Sequence, residues 1–194
     1  MLPESARLAG SIARVLSESA RLAGSIVWVL PESARLWFRE MSTGDLDDMA
    51  ALLGDPDVMR YYPASKTRHE AMQWIEWNQG LYQSRGYGLW ILTLSESGEF
   101  VGDCGLTPQF VDGREELEVG YHVLPSLQSK GYATEAAAAA RDFARDRLGA
   151  RRLTAIIDPA NRPSQRVAEK IGLHPEKRTR NRSGTDIVLY AADW

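Results

Sequence analysis

The sequence changes its period between Glu115 and Leu148. Glu115 to Leu124 alternates: Leu117, Val119, Tyr121 and Val123 fall on one face, and Glu116, Glu118, Gly120 and His122 on the other. That is the pattern of a strand. Thr134 to Leu148 is an alanine-rich run with a charged face, stopped by Gly149, and reads as a helix. A strand entering a helix through one short loop already asks for a sheet with helices packed on it.

The remaining elements agree. Arg35 to Arg39 reads as a first strand, and Ser42 to Asp45 supplies cap candidates for a helix whose first turn carries Asp45, Asp47 and Asp48. A second helix spans His69 to Tyr82, with Met72, Trp74, Ile75, Trp77 and Leu81. Gly88 to Leu94 and Phe100 to Leu106 form a hairpin around Ser95 to Gly98, and Asp112-Gly113 marks the next turn. Leu153 to Ile157 is a short buried strand, and Pro163 to Ile171 a helix closed by Gly172. Two strand-like runs flank Asn181 to Gly184, the second being Ile187 to Tyr190. Hairpins mixed with strand–helix steps predict an α/β (α+β) fold with a mixed sheet covered by helices.

The N-terminus is different in kind. Residues 2–15 open with LPESARL, 16–29 with LSESARL and 30–36 again with LPESARL, a period of 14 residues, two heptads. Leu8, Ile12, Val15, Leu22, Ile26 and Val29 recur at spacings of four and three, as on one face of an amphipathic helix. Pro31 should end that helix. The expected organisation is therefore a helical extension over 1–31 and one domain over 32–194. The extension reads either as a docking or dimerisation helix or as a tandem duplication; a homodimer is left open.

Composition removes several function classes. A formal charge of −3 disfavours broad, charge-driven nucleic-acid binding. The single cysteine, Cys104, excludes an internal disulfide framework, and three scattered histidines form no zinc-type cluster, so no metal is expected. No stretch approaches the roughly 20 apolar residues of a membrane span. The Met-Leu-Pro-Glu start lacks the basic opening of a signal peptide. The expectation is a cytoplasmic protein without membrane or nucleic-acid partners.

The chemistry lies where the strand meets the helix, in Gln128-Ser129-Lys130-Gly131-Tyr132-Ala133-Thr134. Consecutive backbone N–H groups and the positive end of a helix dipole make a seat for phosphate oxygens. Gly131 lets backbone approach a ligand, and Ala133 keeps the wall small. The run lacks the Gly-Lys-Ser/Thr of a P-loop and the three spaced glycines of a dinucleotide fingerprint.

This run resembles the acyl-CoA pyrophosphate loop of the GNAT acetyltransferases, Arg/Gln-x-x-Gly-x-Gly/Ala. Leu117-Glu-Val-Gly-Tyr121 followed by Gly131-Tyr-Ala-Thr-Glu-Ala is similar to the RimJ/RimL-type branch, as is Asn161-Arg-Pro-Ser164 leading to Glu169-Lys-Ile-Gly-Leu173. The element order over 33–194 matches as well. The resemblance implies the GNAT fold: a mixed, mostly antiparallel sheet of about six to seven strands flanked by about four helices. It also implies acetyl-CoA as co-substrate. Backbone groups of Tyr121, His122 and Val123 would pair with the pantetheine arm, and amides from Gln128 through Thr134 would hold the pyrophosphate. Asn161 would bond the pantetheine amide region, with Ser164 near the thioester sulfur. Arg166 and Lys170 either reach CoA phosphates or form a solvated basic face.

The family's usual acid, a tyrosine on the last helix, is replaced here by Ala168. Ser164 or water must then protonate the leaving thiolate, though a serine near a helix start is also a cap candidate. Leu173 and Leu127 replace aromatics without touching catalysis.

Amide formation from an amine and a thioester needs a base, an oxyanion donor and a proton for sulfur. Glu118 is the leading base, with Glu116, His122 or a water chain as alternatives; a surface carboxylate or an arginine's cross-strand partner is the competing reading. Cys104 fits core better than nucleophile. Trp74, Trp77, Tyr61 and Tyr62 would wall the acceptor site, unless the tryptophans are core. The expected reaction is direct acetyl transfer, in a ternary complex, to a peptide N-terminus or a small-molecule amine. The rival class is a non-catalytic acyl-CoA-binding regulatory module.

Overall fold

A computed structural model of the protein describes residues 30–181 and 183–194. The expected helical repeat lies outside the described residues.

The described chain runs β1 (Leu36–Arg39), α1 (Leu46–Gly54), α2 (Arg68–Arg85), β2 (Leu89–Leu94), β3 (Phe100–Val111), β4 (Arg114–Val123), α3 (Tyr132–Asp146), β5 (Arg152–Ile157), α4 (Arg162–Lys170), β6 (His174–Arg180) and β7 (Asp186–Asp193). The order of strands and helices is the expected one, and seven strands with four helices make the α+β architecture that the resemblance implies. Residues 33–35 stay outside the first strand, which begins at Leu36 rather than Arg35.

Local chemistry sets the helix ends. At the start of α2 the Thr67 hydroxyl accepts the Glu70 N–H (3.2 Å), and the Glu70 carboxylate accepts the Thr67 N–H (2.7 Å). This reciprocal cap satisfies two donors a helix start leaves unpaired. Gly86, at φ 74°, ends the helix in the left-handed region.

One sheet orders the strands β1-β2-β3-β4-β5-β7-β6. Every neighbouring pair is antiparallel except β4 and β5. The β3–β4 turn has Asp112 and Gly113 at φ 49° and 80°, the geometry that suits a two-residue hairpin. With Val111 opposite Arg114, Thr107 falls opposite Glu118, Cys104 opposite Tyr121, and Asp103 opposite His122.

That register assigns the two faces. Trp90 lies opposite Cys104, so Trp90, Cys104 and Tyr121 share a face. Phe143 of α3 meets Trp90 edge-on at 5.2 Å, and the Tyr121 hydroxyl donates to the Ser164 carbonyl of α4 (3.0 Å). Helices α3 and α4 therefore cover this face. The other face carries Asp103 and His122 beneath Trp74 of α2. Trp90, 1% exposed and also edge-on to Phe38, anchors the core between β1 and α3.

The parallel step is the weak seam. Glu118 opposite Thr154 is the one register pair between β4 and β5 among the described residues. Beyond it β5 stays paired with β7 as far as Ile157, while β4 continues to Val123 beside β3. The two strands part toward their C-terminal ends. At the base, Arg152 spans the seam with ion pairs to Glu116 (2.9 Å), Glu176 (2.7 Å) and Asp193 (3.1 Å).

Candidate active site

Two constructions meet at the open end of β4. The first is made of backbone. After β4 the Gln128 side chain donates to the Val123 carbonyl (3.0 Å). Ser129 (φ 61°) and Gly131 (φ 87°) then take left-handed conformations that turn the chain into α3. Gly131 is the residue before the helix, so the N–H groups of Tyr132, Ala133 and Thr134 have no intrahelical acceptors. They lie at the positive end of a 15-residue helix.

Arg35 braces this turn from outside. Its backbone N–H and its Nε both donate to the Glu135 carboxylate at 2.7 Å, and its Nη1 donates to the Lys130 carbonyl at 3.3 Å. The guanidinium also lies 4.6 Å over the Tyr132 ring. Burial pushes the Glu135 carboxyl up, but the Arg35 hydrogen bonds outweigh it and hold the group below its ordinary value.

The second construction is made of side chains and fills the gap between β4 and β5. One Glu118 oxygen accepts the Ile156 N–H (3.3 Å), and the other accepts the Thr107 hydroxyl (3.2 Å). The carboxylate thus takes the place of a ladder partner where the strands separate. Burial pushes its pKa up to about 7, and the Ile156 N–H, the Thr107 hydroxyl and His122 pull it back only in part. A carboxyl tuned to neutrality suits proton transfer better than an ordinary one.

Four residues along β4, His122 is held at both ends. Its Nδ1 lies 2.7 Å from Asp103, and its Nε2 lies 2.9 Å from the Tyr62 hydroxyl. The Trp74 indole N–H donates to the second Asp103 oxygen (3.2 Å). Asp103 is fully buried and the His122 side chain nearly so. Tyr62 is 46% exposed, yet its hydroxyl turns inward. Burial, then the Glu118 and Asp103 carboxylates, raise its pKa.

A cavity of about 650 Å³ passes these groups. Glu118 and His122 reach it from the α2 face, and Tyr121, Asn161 and Ser164 from the α4 face. Tyr61, Tyr62, Trp74 and Trp77 line it as well.

Residues 35–174 match the acetyltransferase (GNAT) domain family. The chain belongs to the GNAT acetyltransferase family. The uncharacterized protein YkkB of Bacillus subtilis (strain 168) is 40% identical over 137 residues, covering 69% of this chain and 80% of YkkB. A GNAT-family acetyltransferase from Bacillus anthracis has a crystal structure that superposes with a TM-score of 0.73. The two are 26% identical, and the match covers 85% of this chain and 98% of that one. RimL, a ribosomal L7/L12 alpha-N-protein acetyltransferase solved with coenzyme A, shares the fold at a TM-score of 0.67 and 18% identity. That match covers 84% of this chain and 97% of RimL. As a GNAT protein, the chain is an acetyl-CoA-dependent N-acetyltransferase, and the family acts on amine acceptors.

The expected site residues fall into two groups. Glu118, Tyr121, His122, Asn161 and Ser164 come together on the cavity. Val123 and Gln128 through Thr134 follow at the end of the same strand and do not line it. The loop suits a pyrophosphate: the Tyr132, Ala133 and Thr134 N–H groups have no intrahelical acceptors, and Gly131 takes the left-handed φ of 87° that turns the chain into the helix. Arg166 and Lys170 are exposed on α4, away from the cavity lining.

The structure refines several assignments. Asn161 caps α4, its Oδ1 accepting the Ser164 N–H (3.1 Å), which leaves its amide N–H groups for a ligand and relieves Ser164 of a capping role. Glu116 is 6% exposed and tied to Arg152, a poor arrangement for a mobile base. Cys104 is fully buried with its thiol pKa pushed up by that burial, so it is core and not nucleophile. Asp103, Thr107, Arg35 and the Tyr121 hydroxyl escaped the sequence reading. The hairpin turn could have exposed two of them, because a two-residue loop at Asp112-Gly113 places Asp103 and Thr107 opposite His122 and Glu118.

Among the described residues, no helix is long and apolar enough to cross a membrane. None of their His, Cys, Asp and Glu side chains gather in threes to hold a metal.

Proposed function

We propose that this GNAT protein acetylates a primary amine, on a protein N-terminus or a small molecule, by direct transfer in a ternary complex. The observation that carries the reading is the Glu118 carboxylate, seated in the gap between β4 and β5 with its pKa near 7.

Acetyl-CoA brings an activated acyl group and a thiolate leaving group. The backbone of Tyr121 to Val123 lies beyond the β4–β5 register pair, with the Val123 carbonyl met by Gln128, and offers groups for the pantetheine amides as an added strand would. Asn161 supplies amide N–H groups beside it, and the loop from Gln128 to Thr134 receives the pyrophosphate. This puts the thioester on the α4 face near Ser164, and the amine on the α2 face near Glu118. Glu118 draws a proton from the amine. A hydroxyl at the start of α4 protonates the departing sulfur: Ser164, with the Tyr121 phenol hydrogen-bonded to the same residue. A cytoplasmic setting fits a chain whose single cysteine is a buried free thiol.

Ala168, fully buried where the family places its tyrosine acid, favours the second reading, a regulatory acyl-CoA-binding module. Against it, a pure binder has no use for a carboxyl held near neutrality between two strands. Release of free thiol from acetyl-CoA over a panel of amines and peptides decides between them. Turnover with any acceptor supports transfer; acetyl-CoA binding without thiol release on the whole panel supports the module.

A further inference from the structure

We infer that Tyr62 is a second proton acceptor for the amine, working through His122 and Asp103 and separately from Glu118. The inference rests on the transferase reading above and adds a catalytic residue to it.

The amine must lose two protons. An alkylammonium substrate is protonated at neutral pH, and becoming an amide removes two protons from its nitrogen. One must leave before the nitrogen has a lone pair. The other leaves as the C–N bond forms and the C–S bond breaks, with the electron pair of that bond going to sulfur. Glu118 takes one of them.

The geometry around His122 provides for the other. Trp74 Nε1 can only donate, and it occupies one Asp103 oxygen. The other oxygen lies 2.7 Å from His122 Nδ1 and can accept its hydrogen; in the relay His122 is the Nδ1-protonated tautomer, with a lone pair on Nε2. The Tyr62 hydroxyl, 2.9 Å away, donates to that lone pair. Tyr62 also lines the cavity together with Glu118, which brings its hydroxyl within the same cleft as an amine held there.

When the nitrogen gives a proton to the Tyr62 oxygen, the Tyr62 hydrogen passes to His122 Nε2. The resulting imidazolium sits against the Asp103 carboxylate, which stabilises it without itself taking the proton. Of the two protons lost by nitrogen, one balances the thiolate and one returns to water, so the sum is amide, free thiol and one proton. The charged and titratable groups facing Tyr62 and His122 are Asp103 from β3 and Glu118 and Tyr121 from β4. Lys66 stands behind the Trp74 ring at 5.1 Å. A purely structural role explains the arrangement less well, because an apolar pair would fill the same volume without burying the Asp103 carboxylate.

The experiment is a double-mutant cycle on kcat with saturating acetyl-CoA, using the full chain and the best acceptor from the panel. Tyr62→Phe and His122→Gln should each lower kcat about 10²-fold, and the double variant should be no slower than the worse single one. The KM for acetyl-CoA should hold in all three. Wild-type kcat in Tyr62→Phe, or two losses that multiply, would overturn the relay while leaving the transferase reading intact. The 15N imidazole spectrum of His122 tests the same geometry with no acceptor present. A protonated Nδ1 and a bare Nε2 whose resonance moves in Tyr62→Phe support the relay. The Nε2-protonated tautomer refutes it.

Discussion

The phosphate cradle and the acceptor cleft lie at one end of the same strand and are built from opposite materials. The cradle is backbone: left-handed turns at Ser129 and Gly131 and the first N–H groups of α3. Its side chains act as braces, Gln128 on the Val123 carbonyl and Tyr132 under Arg35. The cleft is made of side chains from distant parts of the chain, each fixed by another: Glu118 by Thr107 and Ile156, and His122 by Asp103 and Tyr62. A backbone site tolerates changes of side chain and fails when the chain path changes. A side-chain site keeps its shape through conservative substitution and loses its chemistry.

Glu118→Gln sharpens that contrast most. It preserves shape and removes the base, so turnover should fall about 10²–10⁴-fold, while calorimetric acetyl-CoA affinity stays at the wild-type value. Gly131→Val does the reverse. A β-branched residue at φ 87° is strained by about 1–2 kcal/mol or more, so acetyl-CoA affinity should drop about tenfold. Unchanged affinity would place the pyrophosphate elsewhere.

A third prediction concerns stability. The folded-state pKa of Glu118 lies near 7, above its ordinary value of 4.5. Between those values the folded protein holds a proton that the unfolded chain has released, so stability falls as pH rises through the window. Glu118→Gln lacks that loss. Relative to wild type, its Tm should be higher at pH 8 than at pH 5; an offset independent of pH would contradict the burial of Glu118.

The smallest effect belongs to Arg35→Ala. The Arg35–Glu135 pair is half exposed on the arginine side, and such pairs contribute about 0.2–1 kcal/mol. Acetyl-CoA affinity should weaken about twofold to fivefold with kcat unchanged. A larger loss of kcat than of affinity would mean that the brace reaches the cleft.

The same division decides what could be read from the sequence. The cradle was legible because it is local: seven consecutive residues carry it, and a glycine marks the turn. The strands were legible from alternation, and Glu118 from its place on the β4 face opposite the apolar one. The partners of these residues were not. Asp103 meets His122 only after a register is fixed by Asp112-Gly113. Tyr62 and Trp74 were expected as walls of the acceptor site and line the cavity, but their bonds to His122 and Asp103 come from the packing of α2 and the loop before it, which no spacing in the chain encodes. Ile156 reaches Glu118 because β4 and β5 stop pairing after one residue, a consequence of how β5 is committed to β7. The burial that raises Glu118 exists only in the assembled sheet.

Proton transfer through Glu118 is best tested by the pH dependence of kcat/KM for the acceptor, in wild type and in Glu118→Gln, with folding checked at each pH. In wild type, kcat/KM should rise through about pH 7 as Glu118 ionises and climb further toward the amine's own pKa near 10. In Glu118→Gln the inflection near 7 should vanish and only the amine's rise remain, so the two profiles converge at high pH. Superimposable profiles of equal height would show Glu118 to be a structural carboxylate.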